Sequence, residues 1–154
     1  MKYLIIILAF NLVWNMDLTH NRLVKVDDVR VDQVSLAEQF YNRLEVKHNL
    51  PLSVNRFINR IAVERTDIPV EIWEETKDYI DYSYFSNDVI NVVNNYYSDS
   101  EIQILLNDYE DKPYIPITKI EFRKQVFQIA KSFNANWVIP DINEILTDHG
   151  YTPL

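Results

Sequence analysis

The chain has 154 residues with a formal net charge of −8, a single glycine (Gly150) and no cysteine. The missing cysteine excludes disulfide frameworks, zinc–thiolate sites, iron–sulfur clusters and cysteine nucleophiles. One glycine is too few for the Walker or dinucleotide phosphate loops, and a net negative charge has the wrong sign for gripping nucleic-acid backbones.

The N-terminus opens with Met1-Lys2, followed by the apolar run Leu4–Phe10. A short positive start and a run of this length predict a secretory signal peptide over residues 1–16, although no small-x-small cleavage site is evident. The alternative is a buried strand or helix over Ile5–Leu8. The run is too short for a membrane span, and Asn11 interrupts it. No integral span is therefore expected in the mature chain, which would be periplasmic or secreted. Residues 17–34 are polar with scattered valines and read as an extended lead-in.

From residue 35 to 154 the pattern is helical. Ser35-Leu36-Ala37-Glu38 is a capping box, in which the serine accepts from an amide three residues on and the glutamate reaches back. Leu36, Phe40, Tyr41 and Leu44 then share a face, and Asn49 with Pro51 is expected to end that helix. Ser53 is the expected cap of the next, with Val54, Phe57, Ile58 and Ile61 as its stripe. Asp67-Ile68-Pro69 opens a third helix with Ile72, Trp73, Tyr79 and Ile80 on one side and Glu71, Glu74, Glu75 and Asp78 opposite.

Ser86 is a further candidate cap, leading into Val89–Tyr97, a segment apolar enough to lie centrally. Ser98-Asp99-Ser100-Glu101 and Thr118-Lys119-Ile120-Glu121 are two more capping boxes, separated by the rigid connector Lys112–Pro116. The helix after Thr118 has the stripe Phe122, Val126, Ile129, Ala130 and Phe133. A last helix, about Pro140 to His149, ends at Gly150, where a left-handed residue belongs. The expected fold class is all-α: one domain, a bundle of about seven short helices joined by short connectors.

The order Asn94-Asn95-Tyr96-Tyr97-Ser98, then Glu101, Leu105-Leu106, Tyr109 and Lys112-Pro113, resembles a family of exported bacterial helical domains of unknown function. The resemblance spans about residues 70–135. It implies export and a helical fold, not a mechanism. The family carries a glycine soon after the proline, where this chain has Tyr114-Ile115.

No catalytic constellation assembles from the sequence. The carboxylates Glu71 to Asp78 read as a solvated helix face, and Asp108, Glu110 and Asp111 lack the central glycine of a calcium loop. His149 suits the C-terminal end of a helix dipole, and His48 follows a helix turn in the same way. No metal or cofactor is expected. The distinctive asset is tyrosine, clustered between Tyr79 and Tyr114. Tyr82, Tyr84, Phe85 and Tyr114 are the candidate binding residues, since large aromatic side chains dominate binding hot spots. The expected function is non-catalytic capture of a protein or peptide partner. The alternative is a cytosolic immunity- or antitoxin-type inhibitor that uses its acidic surface to meet a basic toxin.

Overall fold

The computed structural model describes residues 34–154; the signal-peptide and lead-in expectations lie outside the described residues. Val34–Leu154 forms one compact unit. It is mostly helical and, among the described residues, contains no strand. The elements are α1 (Leu36–Arg43), α2 (Glu45–Glu64), α3 (Val70–Tyr79), α4 (Ser83–Val93), α5 (Asp99–Asp108), α6 (Ile120–Phe133) and α7 (Ile139–Asp148). A single π turn, Asn134–Val138, joins α6 to α7 without a break.

The first boundary differs from the expected one. Pro51 and Ser53 sit inside α2 rather than between two helices, and the break falls at Leu44, which is extended. The cause is tertiary. Ile115, from the α5–α6 connector, enters at the break as an isolated parallel bridge to Leu44. Its amide donates to the Arg43 carbonyl and its own carbonyl accepts from the Glu45 amide. Ser53, free of any capping duty, donates its hydroxyl to the Asn49 carbonyl one turn back.

Arg43 fixes the same connector from the side. Its guanidinium donates to the carbonyls of Tyr109 at 2.6 Å, Lys112 at 2.9 Å and Glu110 at 3.3 Å. These are carbonyls of the cap and of the turn that follows α5, beyond the helix's own hydrogen bonds. That bracing holds the Tyr114-Ile115 turn without a glycine.

Two other caps are displaced. α4 begins at Ser83, three residues before the expected cap, because the Asp81 carboxylate accepts from the Ser83 amide and hydroxyl. Ser86 is instead internal, hydrogen-bonded to the Tyr41 hydroxyl at 2.8 Å. Thr118 does not cap α6, whose N-cap is Lys119. Ser35 and Ser98 are caps where expected: Ser35 accepts from the Glu38 amide without the return bond of a full box, whereas the Ser98–Glu101 box is formed in both directions.

α7 ends in a full Schellman motif. Gly150 has φ +79°, its amide donates to Thr147, and the Tyr151 amide donates to Leu146.

The core is built around aromatic contacts. Phe40 packs on Tyr97, Tyr97 meets Phe122 edge-on at 90°, and Phe85 meets Phe133 edge-on. Trp73, Leu44, Ile58, Val89, Ile102, Ile115, Ile142 and Leu146 fill the space between them. α1 packs on α4 and α5, α4 on α6, and α2 and α7 on α3.

Candidate functional site

The four residues singled out from the sequence do not form one face. Starting α4 at Ser83 places Tyr84 and Phe85 inside a helix, where consecutive side chains diverge by about 100°. Phe85 is fully buried against Phe133 and is a core residue, not a binding residue. Tyr82 is half-buried against the same Phe133 ring. Tyr84 remains 42% exposed, stacked on Trp137 of the π turn. Tyr114 is 41% exposed, but it lies before the N-terminus of α6 while Trp137 lies past its C-terminus. The 14 residues of α6 put roughly 21 Å between those ends.

The larger surface feature runs along α2. Val46, Leu50, Val54, Phe57 and Ile61 recur every three or four residues and so lie along one side of that helix. Three adjoining depressions follow that side. The first, about 280 Å³, is closed by Ile117 and Arg123. The middle one, about 400 Å³, has Leu50, Val54 and Phe57 on one wall and Phe127, Ala130 and Phe133 on the other. The third, about 630 Å³, continues from Phe57 past Ile61 to Ile139 and Leu154. Together they form an open groove whose wall is the 20-residue α2, roughly 30 Å long. Phe127 stands at its lip with 62% of its surface exposed.

Charge is distributed unevenly around this groove. Residues 46–63 and 122–140 contain no carboxylate, yet they carry Lys47, Arg56, Arg60, Arg123, Lys124 and Lys131. Lys131 sits over the Phe127 ring, 6.0 Å from its centroid. Lys124 pairs with Glu121. Among the described residues, Arg56, Arg60, Arg123 and Lys131 have no carboxylate within ion-pair distance. Glu45 and Glu64, at the two ends of α2, line the first and third depressions.

The acids lie elsewhere. Glu71, Glu74, Glu75 and Asp78 are exposed on α3, with Glu74 paired to Lys77 and Glu75 2.9 Å from the His149 imidazole at the end of α7. His149 does sit at a helix C-terminus, and its partner carboxylate comes from a different helix. A second acidic group gathers where α7 begins. Burial, then the nearby charges of Glu144 and Asp81, push the Asp141 carboxyl up. The neighbouring Tyr79 hydroxyl is also raised, first by its hydrogen bond to Glu144.

The groove has the parts of a binding surface. The middle depression is lined mainly by apolar side chains with Lys131 at its edge, and its one hydroxyl, Ser53, is committed to a backbone carbonyl. No set of three or more His, Asp or Glu side chains among the described residues is placed to hold a metal ion. No described helix is long and apolar enough to cross a membrane. No protein-family model, curated protein or solved structure matches the chain.

Sequence reasoning missed Phe127 and Trp137. Phe127 breaks the α6 stripe, standing one residue past Val126 on the outer side. A large apolar residue off the stripe is a legible sign of an unfilled surface. The groove itself is a relation between helices some seventy residues apart, which periodicity does not register.

Proposed function

We propose that this chain is a non-catalytic binding domain that captures a protein or peptide segment in the α2–α6 groove. The observation that carries the reading is Phe127, a large aromatic ring 62% exposed beside an apolar depression of about 400 Å³. Exposed aromatic rings over a concave apolar lining are what binding hot spots use. The fold that presents the groove is read as one bundle of about seven short helices. The stacked Tyr84 and Trp137, one turn beyond Asn134 of the groove wall, extend the aromatic surface.

The domain is further inferred to act outside the cytoplasm. The Lys2 start and the Leu4–Phe10 run support removal of residues 1–16 on export, as does the resemblance over residues 70–135 to exported helical domains. The exposed carboxylate face of α3 favours the second reading, a cytosolic inhibitor of a basic toxin. Compartment separates the two. A mature N-terminus near residue 17 in an extracytoplasmic fraction supports the first, and intact Met1 in the cytoplasm supports the second.

The groove is tested by placing a photo-crosslinking residue at position 127 in the producing cells. Position 104, where Ile104 is 57% exposed on α5, serves as the control. A discrete adduct from 127 and none from 104 is expected. Equal labelling from both positions would discard the groove as the binding surface.

A further inference from the structure

We propose that the groove's occupant is an acidic amphipathic helix, with its apolar stripe on Phe127 and its carboxylates over the cations of both rims. The inference rests on the groove being the binding surface and goes on to name the chemistry of the partner.

The first argument is charge. In a chain of net −8, the two stretches that wall the middle depression, residues 46–63 and 122–140, hold six cations and no carboxylate, while Glu45 and Glu64 line the outer depressions at its two ends. Lys131 lines the middle depression itself, one turn beyond Phe127 on α6, and Arg60 follows its lining residue Phe57 by one turn on the opposite wall, α2. Neither has a carboxylate within ion-pair distance among the described residues. An occupant lying between those helices therefore meets positive charge on both sides and apolar surface beneath. Carboxylates flanking an apolar stripe complement that field, whereas flanking lysines would be repelled.

The second argument is backbone. Both walls of the middle depression are α-helices, whose amides and carbonyls are bonded internally, so neither offers an edge for strand addition there. Recognition must run through side chains. The α2 wall presents its apolar positions at helical spacing, Leu50, Val54, Phe57 and Ile61, and a helix laid alongside presents anchors at matching intervals. The roughly 30 Å length of α2 accommodates about five turns.

The test uses the full chain and three synthetic peptides of one length, read by fluorescence anisotropy. The first carries leucines on one helical stripe and glutamates elsewhere. The second keeps the stripe and replaces every glutamate by lysine. The third keeps the glutamates and scatters the leucines off the stripe. The glutamate-flanked stripe is expected to bind, to weaken as salt is raised, and to lose at least about tenfold in affinity with Phe127→Ala. The double variant Arg60→Glu with Lys131→Glu is expected to exchange preference, binding the lysine-flanked stripe instead. All three positions are exposed, and circular dichroism checks that each variant keeps its helices.

Equal binding of the lysine- and glutamate-flanked stripes would overturn the acidic partner and leave the groove standing. Binding of neither striped peptide would overturn both. Equal binding of the scattered peptide, or of a single-stranded oligonucleotide, would show a general polyanion surface and overturn the helical occupant.

Discussion

The Tyr84 ring lies flat on the Trp137 indole, with centroids 3.5 Å apart and planes 10° from parallel. The contact ties the first turn of α4 to the π turn between α6 and α7. A π turn adds a residue to the helical repeat and so re-aims the side chains that follow it. Trp137 is thereby presented to Tyr84 while Val138 beside it is fully buried.

That pair and its neighbour Phe85 should respond very differently to truncation. Tyr84 is 42% exposed, so Tyr84→Ala removes mainly the stacking interaction, about 0.5–1.5 kcal/mol. Phe85→Ala empties a fully enclosed site and should cost about 3–5 kcal/mol. Urea denaturation of the two variants measures both. Similar losses would mean that Tyr84 is as structural as Phe85.

Glu101 makes stability sensitive to acid. One carboxylate oxygen receives the Lys119 ammonium at 2.6 Å, and the other receives the Ser98 amide at 2.8 Å. The Lys119 hydrogen bond, then those from Ser98, lower its pKa from 4.5 to about 2. A carboxyl depressed in the fold contributes stability that is complete above its unfolded value and is lost as pH falls through the folded one. The melting temperature should therefore drop between pH 4.5 and about 2, and Glu101→Gln should flatten that limb. Asp67 and Asp81 are lowered too and add to the same slope. Ser98→Ala, which removes the reciprocal half of the cap, should cost about 0.5–2 kcal/mol near neutral pH.

Asp141 works in the opposite direction. Its carboxyl is raised by burial first, then by Glu144 and Asp81. α7 continues from the π turn with helical backbone at Val138, so the first turn of α7 has no free amides to welcome a carboxylate. A raised carboxyl destabilises the fold while ionised, and the penalty is relieved as pH falls through its folded value. Asp141→Asn should raise the melting temperature at pH 7, and the gain should shrink as wild type and variant are acidified together. A lower melting temperature for Asp141→Asn at pH 7 would contradict this.

Local signals were readable wherever the chain decides matters within a turn or two. The Ser98–Glu101 box, the α6 stripe from Phe122 to Phe133 and left-handed Gly150 are each settled by neighbours in sequence. The misreadings have distant causes. Leu44 breaks a helix because Ile115 reaches it from beyond α5, and Ser86 is turned from cap to partner by the Tyr41 hydroxyl. Lys119 is drawn to Glu101 and the Tyr96 carbonyl, and α6 begins at Ile120 with no cap from Thr118. Net charge misled in the same way. A value of −8 describes the α3 face well and the groove badly, because the chain segregates its cations into the stretches that become the two walls.

Pro51 offers the sharpest test of this local-against-tertiary contest. It is the seventh residue of α2, where it supplies no amide to the Lys47 carbonyl and its ring crowds the preceding turn. In a helix interior that costs about 3 kcal/mol relative to alanine. The helix nonetheless runs through, because Val54 and Ile58 after the proline and Leu44 before it are buried in one core. Packing on both sides thus holds a turn that the backbone disfavours. Pro51→Ala should restore the missing hydrogen bond, keep the helical content and raise stability by up to about 3 kcal/mol. The proline ring is only half-buried, so little packing is forfeited. Chemical denaturation measures the change. A loss of stability would show that α2 depends on the proline's fixed geometry, and that its course past the groove is set at Pro51 rather than by the core beneath.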